Sequence, residues 1–119
     1  MTHAPNSIEG FYATYLTGAM GSSFAIFTFR EGKIAGADIG AGKYDGTYTV
    51  DPKTNLVHCL IDFVLPVGQP SITGAMAQAE PLRLKVPLAL PSTIDPKEVF
   101  RIETPIGPVN ARLEKIRGF

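Results

Sequence analysis

The chain has 119 residues and a mass of 12.8 kDa, and its 11 Lys and Arg balance its 11 Asp and Glu. That is the length of one ordinary domain, long enough to bury about two-thirds of its unfolded surface without disulfides or metal. Hydrophobic residues at 45% against 18% charged exclude a charge-rich disordered chain. Zero formal charge without a basic run argues against an electrostatic hold on nucleic acid or an anionic membrane.

Residues 1–7 read as a flexible tail and residues 8–119 as a single β-barrel domain. The tail lacks the basic segment and apolar stretch of a secretory signal, and a single Cys59 cannot pair within the chain, so the cytoplasm is the expected compartment. The most apolar run, residues 60–67, is interrupted by Asp62 and falls far short of the roughly 18 residues a spanning helix needs.

Hydrophobic periodicity is two along most of the chain, which predicts strands at residues 8–17, 22–30, 33–39, 44–50, 56–65, 82–90, 98–103 and from 109 onward. Tyr44, Gly46, Tyr48 and Val50 share one face of the fourth strand. Near Lys115 and Ile116 the alternation slips by one, as a bulge would make it. Pro87 cannot donate to a ladder and marks a bulge or an edge. Residues 66–81, rich in Gly, Pro and Ala, predict either one helical turn near 74–79 or an extended flap across a barrel. The turns at residues 18–21, 30–33, 39–42, 51–55 and 105–108 are too short for parallel crossovers. The expected fold is all-β: an up-and-down antiparallel barrel of eight strands, with at most one short helix.

No reaction is expected. His58 and Asp62 would lie about 13 Å apart along a strand, too far for a triad, at roughly 3.3 Å rise per residue. His58 and Cys59 are adjacent and point to opposite faces, so they do not ligate one metal, and His3 lies in the tail. Ser22 and Ser23 read as turn hydroxyls, and Gly32, Gly36, Gly40 and Gly42 precede no helix that would make a phosphate loop. Neither cofactor nor metal is implied.

Two handles remain. An inward Asp38 needs a Tyr hydroxyl or backbone N–H partner, or else makes an Asx-type turn bond at its strand end. Aromatic residues cluster in the first half and either line a ligand cavity or fill a core. The candidate lining for a small apolar ligand is Tyr12, Phe27, Tyr48 and His58, with Asp38 as polar anchor. Apolar residues on both faces of 22–30 and 56–65 predict an isologous homodimer.

Gly10-Phe11-Tyr12, the run Gly32-Lys33-Ile34-Ala35-Gly36-Ala37-Asp38 and Tyr44-Asp45-Gly46-Thr47-Tyr48 together resemble the GrlR-type family, small negative regulators of type III secretion in Gram-negative bacteria. The similarity lies mainly within residues 10–60. It implies a lipocalin-like barrel, a homodimer, and action by binding a transcriptional activator rather than DNA. The family's acidic surface motif would fall in the loop Asp51-Pro52-Lys53-Thr54-Asn55, where Lys53 reverses the sign; Asp51 and Lys53 mark the corresponding partner loop. The expected function is therefore that of a non-enzymatic regulatory interaction protein. The alternative is a lipocalin-like carrier or sensor of a small apolar ligand.

Overall fold

The computed structural model describes residues 7–119. Of the expected tail, residues 1–6 and with them His3 lie outside the described residues. Alternating hydrophobicity becomes eight strands: β1 (Gly10–Gly18), β2 (Gly21–Arg30), β3 (Lys33–Asp38), β4 (Lys43–Val50), β5 (Leu56–Leu65), β6 (Leu82–Pro91), β7 (Phe100–Ile102) and β8 (Val109–Arg117). Every pair is antiparallel, and no helix occurs among the described residues. The sheet runs β6-β5-β4-β3-β2-β1-β8-β7, an up-and-down barrel closed except at a seam between β6 and β7.

Local chemistry places the turns. Glu31 and Gly32 both take positive φ, 51° and 78°, the backbone of a two-residue hairpin whose twist matches the flanking strands. On β8 the ladder to β1 steps from Arg117 opposite Phe11 to Lys115 opposite Tyr12, so Ile116 is the extra residue of the expected bulge. Pro87 sits in an unbroken β5–β6 ladder, opposite Leu60, and no strand pairs with the far side of β6. Its missing N–H is therefore tolerated because the strand is an edge, not because of a bulge.

Residues 66–81 form no helical turn. They fold as a small hairpin in which Gly68 N–H donates to Ala77 O at 2.8 Å and Ser71 N–H to Ala75 O at 2.7 Å. Gly74, with φ of 99°, turns the tip where a right-handed helix would need negative φ. The flap is tied to the β1–β2 turn by Met20 N–H donating to Ile72 O at 2.7 Å.

Inward positions are even on β1, β3, β4 and β6 and odd on β2, β5 and β8. Gly36 of β3 and Gly46 of β4 are inward glycines on neighbouring strands, and there the sheet bends too sharply for a side chain. A Cβ on Gly36 would stand 2.6 Å from a Phe27 ring carbon and 2.8 Å from Ile26 O; one on Gly46 would stand 2.5 Å from Leu60 O. One end of the barrel is filled by Tyr12, Phe29 and Tyr48, with ring centroids 5.4 Å apart for Tyr12–Phe29 and 5.6 Å for Phe29–Tyr48. Ile34 and Val57, at 1% and 0% exposure, complete this plug.

Since backbone atoms oppose the added methyl, Gly46→Ala is expected to lower unfolding stability by about 1–3 kcal/mol, as overpacking does. Urea denaturation followed by far-ultraviolet circular dichroism measures this, and a change within error would show that the corner does not constrain closure.

Candidate functional site

Antiparallel alternation brings the β1–β2 and β3–β4 turns, the 66–81 flap and the β7–β8 loop to one end of the barrel, opposite the aromatic plug. Between plug and flap the barrel is not filled. A cavity of about 360 Å³ remains, walled by aliphatic residues of β5, β6 and β8 and by an aromatic row, Phe27, Tyr44 and Phe63. Tyr44 is the middle of that row, its ring centroid 4.8 Å from each neighbour. Thr14 stands opposite Ala25 in the β1–β2 ladder, and Ala25 opposite Asp38 in the β2–β3 ladder.

Asp38 organises the mouth. Its Oδ1 accepts Gly40 N–H and Gly42 N–H, both at 2.9 Å, while Oδ2 accepts the Tyr44 hydroxyl at 2.7 Å. Both expected roles thus coexist, a turn bond on one oxygen and a tyrosine partner on the other. Gly42 is required beneath it, because a Cβ there would come 2.5 Å from Asp38 Oδ2 and 2.6 Å from Phe63. Ala41 takes φ of 68°, an uncommon conformation for a residue with a Cβ, and its N–H donates back to Asp38 O at 3.2 Å. Burial first, then the hydrogen bond and charge of Asp38, push the Tyr44 phenol well above its ordinary value, so it remains a donor.

Ser22, Ser23, Ser71, Thr73 and Thr104 add hydroxyl groups to the lining, and Thr14 lies deeper. Thr14 is 2% exposed, lines the cavity, and its Oγ1 has no hydrogen-bond partner. Among the lining residues Asp38 is the one charged group; no Lys, Arg or His contributes.

The five residues proposed for the interior separate. Phe27 and Asp38 line the cavity. Tyr12 and Tyr48 point inward but belong to the plug, at 1% and 8% exposure; Tyr12 donates its hydroxyl to Ile8 O. His58 is a correction: it is exposed on the outer face, because the inward residues of β5 are Val57, Cys59, Ile61, Phe63 and Leu65. Apolar Leu56 and Leu60 lie outside with it, so alternation alone does not reveal the β5 register. Cys59 is the inward neighbour, a buried thiol pushed up to about 11 by burial and therefore poorly nucleophilic. Asp62 also faces outward and pairs with Lys85 at 3.0 Å.

Asp51 and Lys53 sit at the plugged end, remote from the mouth. Asp51 Oδ1 accepts Lys53 N–H at 2.9 Å, the main cause holding that carboxyl below its ordinary range, and this caps the loop on itself. Sequence reasoning missed Thr14 and Phe63 as lining residues. Tyr44 was legible, since it shares a face with Tyr48. The chain matches no known family model, and no curated protein matches it.

Truncating the plug and truncating the wall should differ. Tyr48→Ala is expected to cost about 3–5 kcal/mol, as for other large buried aromatics, and Phe63→Ala clearly less because one side of that ring already faces open space. Equal losses in chemical denaturation would contradict the division into plug and cavity.

Proposed function

We propose that the protein binds a small apolar molecule inside the barrel, as a carrier or sensor. The observation that carries this reading is the cavity of about 360 Å³, walled mainly by apolar side chains, with Asp38, Tyr44 and a few serine and threonine hydroxyls as its polar points. Native interiors are close-packed, with few voids larger than a water molecule, so this volume is an unusual concession for a core and an ordinary one for a ligand site. At about 30 Å³ per atom, the share a water takes in the liquid, it holds on the order of a dozen non-hydrogen atoms. At about 0.5 kcal/mol per ligand atom, binding would reach about 6 kcal/mol, a Kd of tens of micromolar.

Naphthalene is a suitable probe of this size. With ten carbon atoms it is expected to bind with a Kd of about 200 μM by fluorescence titration, and Leu84→Trp, which projects bulk into the cavity, is expected to weaken it at least about tenfold. Absence of binding to the wild type would remove the reading, and binding indifferent to Leu84→Trp would move the site elsewhere.

A second reading, action through contact with another protein, is supported by apolar side chains exposed around the mouth. Met20 is 73% and Ile39 76% exposed, and Val67 and Met76 stand on the flap beside them. Self-association through this rim would give the isologous homodimer, and the resemblance to type III secretion regulators adds a transcriptional activator as the partner class. Sedimentation equilibrium at micromolar concentration is expected to show a dimer that Ile39→Asp dissociates. A wild type that sediments only at 12.8 kDa would dismiss self-association.

A further inference from the structure

The sheet is open at one seam, and the edge that β6 presents there is protected along only half its length. Within the unbroken β5–β6 ladder Pro87 stands opposite Leu60 and has no N–H to give, so the odd residues of β6 direct their main-chain groups away from β5. Ser92 N–H, donating to Asn55 O at 3.1 Å, continues the even phase toward β5. Pro87 and Pro91 therefore strip outward donors from the plugged half of the edge, a common protection of an exposed strand. The half beside the flap keeps its donors, the N–H groups of Arg83 and Lys85. Behind it lies the cavity, walled by Leu84 and Val86 on this bank of the seam and by Ile102 and Ile106 on the other. On the outer face Arg83 is exposed and forms no ion pair among the described residues, while Lys85 pairs with Asp62 at 3.0 Å.

We propose that the free edge of β6 from Leu82 to Val86 receives a strand from another protein, an extended segment in which acidic and apolar residues alternate. A strand added antiparallel to β6 exchanges main-chain hydrogen bonds with Arg83 and Lys85. Directly opposed residues on neighbouring strands point to the same face, so those opposite Arg83 and Lys85 stand on the outer surface and their neighbours turn inward beside Leu84 and Val86. An acidic side chain outside meets the unpaired cation of Arg83; an apolar one inside meets the cavity wall. The same charges exclude a second copy of this edge as the occupant, because antiparallel pairing of β6 with itself sets Arg83 and Lys85 against like charges. Pro87 ends the pairing after Val86, which limits the segment to about five residues. The proposal does not require the small-molecule reading.

The test uses a fluorescein-labelled hexapeptide of alternating glutamate and valine, titrated at neutral pH by fluorescence anisotropy. The wild type is expected to bind it saturably, and to bind the lysine–valine counterpart at least about tenfold more weakly. Lys85→Pro removes an N–H that points away from β5, so the ladder stays intact while the probe is expected to weaken at least about tenfold, as for one lost hydrogen bond. Lys85→Ala keeps that N–H and is expected to weaken the probe by no more than about fivefold, the upper end for an exposed charge pair. Should Lys85→Pro fail to fold, the same bonds are removed from the other side with the wild-type protein. N-methylation of the glutamates, whose amides face β6, is expected to abolish binding, and N-methylation of the valines to leave most of it. Four results would each overturn the proposal: no saturable binding of the glutamate probe, equal binding of the lysine probe, a folded Lys85→Pro that binds as well as Lys85→Ala, or equal losses from the two methylation patterns. Naphthalene, titrated separately, reports on the cavity reading alone.

Discussion

The bend of the sheet at Gly36 and Gly46 is the constraint on which the other features depend. An eight-stranded barrel has an interior only just wide enough for side chains or one small ligand, so the residues allowed on its inner face decide which of these it holds. Two adjacent strands approach their neighbours within 2.5–2.8 Å of where a Cβ would stand, and the sheet curls through that corner until just the seam between β6 and β7 stays open. Closure at this radius forces a choice between aromatic and small residues level by level. Tyr12, Phe29 and Tyr48 fill one end, and the levels beyond them enclose the cavity.

The open end is then built around a single carboxylate. Asp38 ends β3, closes the 38–42 turn through two amides, and orients Tyr44 at the centre of the aromatic wall. The positive φ of Ala41 and the contact that forbids a side chain at Gly42 belong to the same arrangement. Such local strain persists where the surrounding bonds over-determine it, and here three bonds to one side chain do so. The flap completes the enclosure through Ile72, whose carbonyl holds Met20 and whose side chain packs on the core.

These two levels leave an apolar-walled space with its one carboxylate at the mouth. In the binding reading, the apolar walls supply affinity without direction and Asp38 at the mouth supplies the polar anchor. The loop at Asp51 and Lys53, which the family resemblance marks for a partner, lies at the opposite end and is capped by its own backbone. Ligand and any partner at that loop would therefore be separated by the length of the aromatic plug.

Alternation of apolar and polar residues, read with the short Gly- and Pro-bearing turns, was sufficient by itself for the eight strands, their antiparallel order and the bulge near Ile116; for Pro87 it left a bulge or an edge, and the sheet order made it an edge. Those features are local: a period of two and a turn too short for a crossover leave little else for the backbone to do. The placement of Phe27, Asp38 and Tyr44 on inner faces was legible for the same reason, and the aromatic count alone could not say which rings would pack together. What only the tertiary structure decided is the β5 register, which turned His58 outward and Phe63 inward, and the split between plug and cavity. The β5 register has apolar side chains on both faces and is chosen by its neighbours across the ladder. Whether a barrel interior is full depends on volumes summed across strands distant in sequence, so the partnerless hydroxyl of Thr14 becomes visible only after the sheet has closed around it.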